Sequence, residues 1–171
     1  MRDFWIFGYG SLMWNPGFEF LQASKARVMG LHRSLCVHSW VHRGTQESPG
    51  LVLGLDKGGS CLGIAYRVAE KNRTEVIDYL RARELPTDVY VESLRKVVLE
   101  DGQKVEAVLY QVDRSHQQYA CDLSMADQIH IVRHAVGRSG ANPEYLLNTV
   151  DCMRNIGIRD RKLEEISDAL V

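Results

Sequence analysis

The chain has 171 residues and a formal charge of −1, which fits one domain and gives no electrostatic reason to expect nucleic acid or an anionic membrane as partner. Its 45% apolar and 25% charged residues are an ordinary soluble globular mixture. No apolar run approaches the ~18 residues that a membrane span needs.

Met1-Arg2-Asp3 leads directly into an apolar, β-prone run, Phe4-Trp5-Ile6-Phe7, without the apolar region of a secretory leader. The run breaks at once into Gly8-Tyr9-Gly10-Ser11-Leu12-Met13, which reads as a core strand ending in a tight loop. Glycines in such a loop allow positive φ and bring consecutive N–H groups close to a ligand, so the loop is a candidate cradle for a carboxylate or a developing oxyanion.

Residues 26–41 read as a strand, with Cys36, His38, Trp40 and His42 alternating with Leu35, Val37, Ser39 and Val41. A polar loop with Gly44, Pro49 and Gly50 follows. Residues 51–55 and 61–68 flank Asp56-Lys57-Gly58-Gly59, which predicts a hairpin turn. Residues 91–99 and 105–112 predict a second hairpin around Glu100-Asp101-Gly102-Gln103.

The spacing of Val76, Ile77 and Leu80 predicts a helix over 72–84, stopped by Pro86. Ser124, with Asp127 three residues on, is an N-cap signal for a helix over 124–136 that repeats Met125, Ile129, Val132 and Val136. Asn142-Pro143 predicts an N-cap followed by proline in the first turn. That helix carries Leu146, Leu147, Val150 and Met153 and stops at Gly157. A last amphipathic helix covers 160–170, with Leu163, Ile166 and Leu170 inward. The expected class is α+β: a twisted, mainly antiparallel sheet or small barrel flanked by helices, forming one domain over 1–171.

Cys36, Cys61, Cys121 and Cys152 are scattered without a C-x-x-C and read as reduced, small, buried residues of a cytoplasmic protein. His130 and His134 stand four apart, but Ile131 replaces the glutamate of H-E-x-x-H, so a polar helix face is the better reading. His38 and His42 share a predicted strand face without an acid or thiol to complete a metal site. Gly8-Tyr9-Gly10 starts a G-x-G-x-x-G, but Met13 replaces its third glycine. Ser11 lacks the flanking glycines of G-x-S-x-G. Neither metal nor cofactor is expected.

Glu84 is the carboxylate of interest. At about 100° per residue it projects within about 40° of Ile77 and Leu80, on the stripe that faces the core. Loss of hydration there would raise its pKa and make it a proton acceptor near neutrality. Because helix ends fray, periodicity alone favours a helix finished by Ala82, with Glu84 pointing to water. Glu75, nine residues earlier, turns roughly 180° away and reads as surface charge.

The chain resembles the ChaC-like branch of the gamma-glutamylcyclotransferases. The resemblance lies in Phe7-Gly8-Tyr9-Gly10-Ser11-Leu12 with Trp14, His42-Arg43-Gly44 with Ser48-Pro49-Gly50, and Gly63-Ile64-Ala65-Tyr66-Arg67. It continues in Tyr79-Leu80 with Arg83-Glu84 and in Gly140-Ala141-Asn142-Pro143-Glu144-Tyr145-Leu146. These segments come in the family's order. The Tyr-Gly-Ser-Leu loop belongs to the wider superfamily, whereas Arg-Glu and the later segment narrow the match to this branch.

The resemblance implies a barrel-like fold and cleavage of glutathione, a small-molecule substrate, to 5-oxoproline and cysteinylglycine, with no cofactor or metal. It implies that Glu84 is the acid/base and that the loop from Gly8 to Met13 binds the γ-glutamyl end, which reverses the solvent reading of Glu84. Arg43 and Arg67 are candidates for the glycyl carboxylate, with surface ion pairing as the other reading. Tyr145 is a candidate for orienting the α-amine, with burial in the core as its alternative. Where the family often has small residues or glycine after Arg-Glu, this chain has Leu85-Pro86-Thr87-Asp88-Val89-Tyr90, which leaves peptide preference less fixed than the reaction. Alternatives are a cyclotransferase for other γ-glutamyl amines or peptides, and a non-catalytic small-molecule sensor.

Overall fold

The structure, a computed structural model, describes residues 2–171. Met1, read as leading into the first strand, lies outside the described residues. The chain divides into two units.

The first unit comprises the residues up to Arg33 together with Leu55–Asp113. It contains β1 (Phe4–Gly8), the beginning of β2 (Gln22–Ser39) and most of β3 (Gly50–Val68). Helix α1 (Arg73–Glu84) and strands β4 (Tyr90–Leu99) and β5 (Lys104–Val112) complete it. The strands close into a barrel in the order β1-β3-β2-β4-β5. β1 is antiparallel to β3, from Phe4↔Val68 to Gly8↔Ile64, and parallel to β5 at Trp5↔Ala107 and Ile6↔Val108. β4 and β5 form the expected hairpin, with Gly102 in its turn at φ 89°.

All five residues of β1 are buried. Phe4, Ile6, Leu12, Val68, Val76, Leu80 and Tyr110 form one cluster, on which Phe18, Ile77, Leu85, Tyr90 and Val108 pack. Closing the sheet removes its edges, and α1 joins the cluster through Val76 and Leu80 on one of its faces.

The hairpin predicted at Asp56-Lys57-Gly58-Gly59 is absent, because β3 runs unbroken through those residues. Gly58 and Gly59 do take positive φ, 108° and 65°. His32 of β2 packs on Gly59 and donates from Nδ1 to the Gly58 carbonyl at 3.0 Å. The glycines therefore bend the strand against its neighbour instead of reversing it.

The second unit comprises Ser34–Gly54 and Arg114–Val171. It holds the remaining parts of β2 and β3, then α2 (Met125–His134), the short pair β6 (Val136–Gly137) and β7 (Gly140–Ala141), α3 (Asn142–Asn155) and α4 (Arg161–Ala169). Ser124 and Asp127 form the capping box expected of α2. Val136, predicted on the buried face of that helix, instead lies in β6 and is 60% exposed. The helix stops two residues earlier, where Ala135 turns to an extended conformation.

Asn142 also departs from expectation. The cap position is Ala141, and the fully buried Asn142 side chain is used elsewhere. Its Oδ1 accepts the Leu51 N–H at 2.8 Å and its Nδ2 donates to the Leu51 carbonyl at 2.9 Å. A primary amide can satisfy one peptide unit on both sides, so Asn142 acts as a substitute strand partner for β3. The other end of α3 behaves as predicted: Gly157, at φ 75°, closes a Schellman motif through Gly157 N–H to Arg154 O and Ile158 N–H to Met153 O. Asp160 caps α4 through the Leu163 N–H.

Candidate active site

The turn after β1 is shaped by crowding. A Cβ on Gly8 would lie 2.8 Å from Cβ of Leu12, and one on Gly63 would collide with the Gly8 carbonyl and the Phe7 ring. Left-handed backbone, the expected reason for these glycines, is absent: neither Gly8 nor Gly10 has positive φ, and Gly10 sits at φ −129°, ψ −130°. Ser11–Met13 forms a single 3₁₀ turn whose own bonding starts with Met13 N–H to Gly10 O at 2.9 Å. The Ser11 and Leu12 amides precede that bond, as the leading donors of any helical turn do.

The carbonyls of the turn are held from behind. The Tyr66 hydroxyl lies 2.8 Å from both the Leu12 and Met13 carbonyls, and its one proton is shared between them. Burial pushes the phenol up to about 12, partly opposed by the Arg83 charge. Arg33 donates from Nε to the Tyr9 carbonyl at 2.6 Å and from Nη2 to that of Leu62 at 2.7 Å. Tyr9, Leu12 and Met13 bury their side chains, so what they offer a ligand is backbone. Gly10 is half-buried and Ser11 exposed. Tyr66→Phe would leave two buried carbonyls without their donor, an expected loss of about 1–3 kcal/mol. Thermal unfolding, with faster hydrogen exchange of the Gly10, Ser11 and Leu12 amides, measures it.

Helix α1 continues through Glu84 and is closed by Leu85 N–H to Arg81 O at 3.0 Å. Val76, Leu80 and Glu84 are four apart and form one stripe. The Glu84 side chain is only 17% exposed, and the Arg83 Nε lies 3.7 Å from its Oε1. Burial raises the Glu84 pKa above the usual carboxylate value, and the Arg83 charge partly offsets this.

A second carboxylate nearby behaves oppositely. Glu92 on β4 accepts two hydrogen bonds from Arg81, at 3.0 and 2.9 Å, and one from the Tyr110 hydroxyl at 2.9 Å. These partners hold its pKa down. Tyr110 is pushed far up, first by burial, then by Glu92, and further by the Glu84 charge. Of these two carboxylates, Glu92 stays ionised as structural glue and Glu84 has the raised proton affinity. Divergent environments of this kind separate a proton carrier from a bystander.

Arg83 ties Glu84 to the turn. Its Nη2 donates to Ser11 Oγ at 2.7 Å, and its Nη1 to the Asn15 carbonyl at 2.7 Å, the Pro16 carbonyl at 3.2 Å and the Tyr79 hydroxyl at 3.0 Å. Glu84 and the loop from Gly8 to Met13 thus belong to one bonded assembly. The bonding of Arg33 and Arg83 was not read from the sequence; the Arg83-Glu84 dipeptide was the only hint.

Arg43 and Tyr145 lie in the second unit and pair with each other. The Arg43 guanidinium sits 5.6 Å from the Tyr145 ring centroid and donates to the Ala141 carbonyl at 3.2 Å. The Tyr145 hydroxyl accepts the Leu53 N–H at 3.0 Å. Arg67 pairs with Asp3 at 3.4 Å, the surface alternative foreseen for it. Glu75 is exposed, as are His130 and His134. His42 falls beyond the end of β2, so it shares no strand face with His38, and its Nδ1 lies 2.8 Å from Ser139 Oγ. Cys36 and Cys61 are buried, but Cys121 is exposed and Cys152 partly so, against expectation. No group of three potential metal ligands occurs among the described residues, nor does any helix long and apolar enough to cross a membrane.

A model of the ChaC-like protein family matches residues 4–171. The glutathione-specific gamma-glutamylcyclotransferase of Escherichia coli K12 is 34% identical over 162 residues, covering 95% of this chain and 70% of that protein. The glutathione-specific gamma-glutamylcyclotransferase 1 of Mus musculus is 34% identical over 175 residues, covering 97% and 77%. The crystal structure of the yeast gamma-glutamylcyclotransferase specific to glutathione superposes with a TM-score of 0.85 over 99% of this chain and 96% of that one, at 19% identity. The α+β fold is therefore that of the gamma-glutamylcyclotransferases, and the chain belongs to the ChaC-like protein family.

Proposed function

We propose that this chain is a glutathione-specific gamma-glutamylcyclotransferase that releases 5-oxoproline and cysteinylglycine, a carbon–nitrogen lyase needing no cofactor. Relatives of that name at 34% identity support the substrate. The observation that carries the chemistry is Glu84: a carboxylate on an apolar stripe, with raised proton affinity, bonded through Arg83 to a turn of backbone amides.

The substrate contains its own nucleophile. The glutamyl α-amine attacks the γ-carbonyl carbon, closing a five-membered lactam, and the bond from that carbon to the cysteinyl nitrogen breaks. Intramolecular attack has a large effective molarity, so the protein's first task is to hold the folded conformer. Glu84 takes the proton that the ammonium must lose and returns it to the departing cysteinyl amine, so one carboxylate serves both half-steps. Amides of the turn around Ser11 and Leu12 are the donors for the tetrahedral oxyanion. Arg43 for the glycyl carboxylate and Tyr145 for the α-amine remain proposals that rest on the resemblance.

One family model spanning 4–171 supports a single functional domain. Four free cysteines support a reducing compartment such as the cytoplasm. Incubation with glutathione under reducing conditions is expected to yield equimolar 5-oxoproline and cysteinylglycine by mass spectrometry. Turnover of γ-glutamyl-alanine or γ-glutamyl-ε-lysine in preference to glutathione would shift the specificity, and no product from any of them would leave a sensor.

A further inference from the structure

We infer that Arg83 is a positioning residue that fastens the turn over residues 10–16 to the last turn of α1, beside the Glu84 carboxylate. The inference deepens the proposed cyclotransferase reading and rests on it for its catalytic meaning. Its ground is geometry. One guanidinium joins Ser11 Oγ, two consecutive carbonyls at Asn15 and Pro16, and the Tyr79 hydroxyl, while its Nε faces Glu84 at 3.7 Å. Arg83 is itself only 20% exposed in its side chain. A planar fork of five donors can hold four oxygens at fixed mutual positions, which an ammonium on a flexible stem cannot.

Holding the turn has a direct consequence for the amides of Ser11 and Leu12. With the Ser11 side chain anchored on one side and the Leu12 and Met13 carbonyls anchored by Tyr66 on the other, the peptide planes between them are fixed in orientation. Preorganised donors of this kind need no rearrangement when charge develops. The Ser11 hydroxyl serves as the hook by which Arg83 orients the backbone of the turn.

The electrostatic part follows from what surrounds Glu84. Among the described residues, Arg83 on α1 stands beside it, and the Tyr110 phenol from β5 feels its charge; Tyr110 in turn bonds Glu92 of β4, which Arg81 neutralises. Among the described residues Arg83 is thus the cation that acts against the burial of Glu84, and its removal raises the carboxyl's proton affinity.

The test compares wild type, Arg83→Gln and Arg83→Lys by three readouts. The ¹³C shift of the Glu84 carboxyl is titrated by NMR, amide exchange is measured over residues 10–16, and kcat/KM for glutathione is followed against pH. Arg83→Gln is expected to raise the Glu84 midpoint by roughly one pH unit, moving the acid limb of kcat/KM upward by the same interval. It should also unprotect the turn amides and lower kcat/KM by roughly 10–100-fold. Arg83→Lys should restore the midpoint, since charge is kept, while the turn stays loose and kcat/KM stays low. An unchanged midpoint in Arg83→Gln, or unchanged exchange in both variants, overturns the assignment. If wild type makes no 5-oxoproline, the cyclotransferase reading falls, and titration and exchange still decide the place of Arg83.

Discussion

Glu84→Gln is expected to fold, to bind glutathione, and to turn it over at least ~10²-fold more slowly than wild type, the scale of lost general acid–base catalysis. The amide keeps the size of the carboxyl but can neither accept the ammonium proton nor return it. Wild-type kcat/KM should show an acid limb above the usual glutamate value of 4.5, in the direction that burial moves Glu84, and the residual activity of the variant should lack it. Stability moves the other way. A carboxyl whose folded-state pKa is raised costs the fold stability above that pKa and nothing below the unfolded value. Glu84→Gln should therefore melt no lower than wild type at neutral pH, and the difference should shrink as pH falls through the carboxylate range. Stopped-assay kinetics, calorimetric titration with glutathione and pH-resolved melting cover the three statements. A variant keeping most of its kcat ends the candidacy of Glu84.

Asn142→Ala is expected to have the largest effect on stability without touching the proposed chemistry. The side chain has no exposure and satisfies both polar groups of Leu51. Deleting it leaves a buried N–H and a buried C=O unpaired, at a cost of about 3 kcal/mol. For a chain of this size that lowers Tm by roughly 6–12 °C. Asn142→Asp should recover little, because a carboxylate can accept the Leu51 N–H but has no donor for its carbonyl. Differential scanning calorimetry at neutral pH reads both. Equal melting of Asn142→Asp and wild type would show that the donor side of this amide contributes nothing.

Much of the fold was legible because its signals act over short distances. The β4–β5 hairpin was marked by two alternating runs around a glycine turn, α2 by a cap residue three positions before the N–H it satisfies, and α4 by its stripe of Leu163 and Ile166. Where the same short-range rules failed, pairing with a distant segment had overruled them. Asp56-Lys57-Gly58-Gly59 has the composition of a turn, yet the strand continues because His32 and the rest of β2 hold it. Asn142-Pro143 has the form of a cap, yet the amide faces a strand 91 positions earlier in the chain.

The candidate site divides along the same line. The glycine-bearing turn after the first strand follows from residue order alone, since a strand-to-turn break is a local property of the chain. For Glu84, periodicity favoured a helix finished by Ala82, only the family resemblance turned the carboxylate inward, and α1 does run through it. Only the tertiary structure decided what those pieces become. Arg83 reaches Ser11 across 72 positions and Tyr66 reaches Leu12 across 54, contacts that no periodicity encodes. Neither Gly8 nor Gly10 takes positive φ, and a Cβ on Gly8 would strike Leu12, four residues further along the same turn. The proton affinity of Glu84 is likewise a property of its surroundings: burial raises it, the Arg83 guanidinium opposes that, and the extent of burial exists only once distant segments have come together.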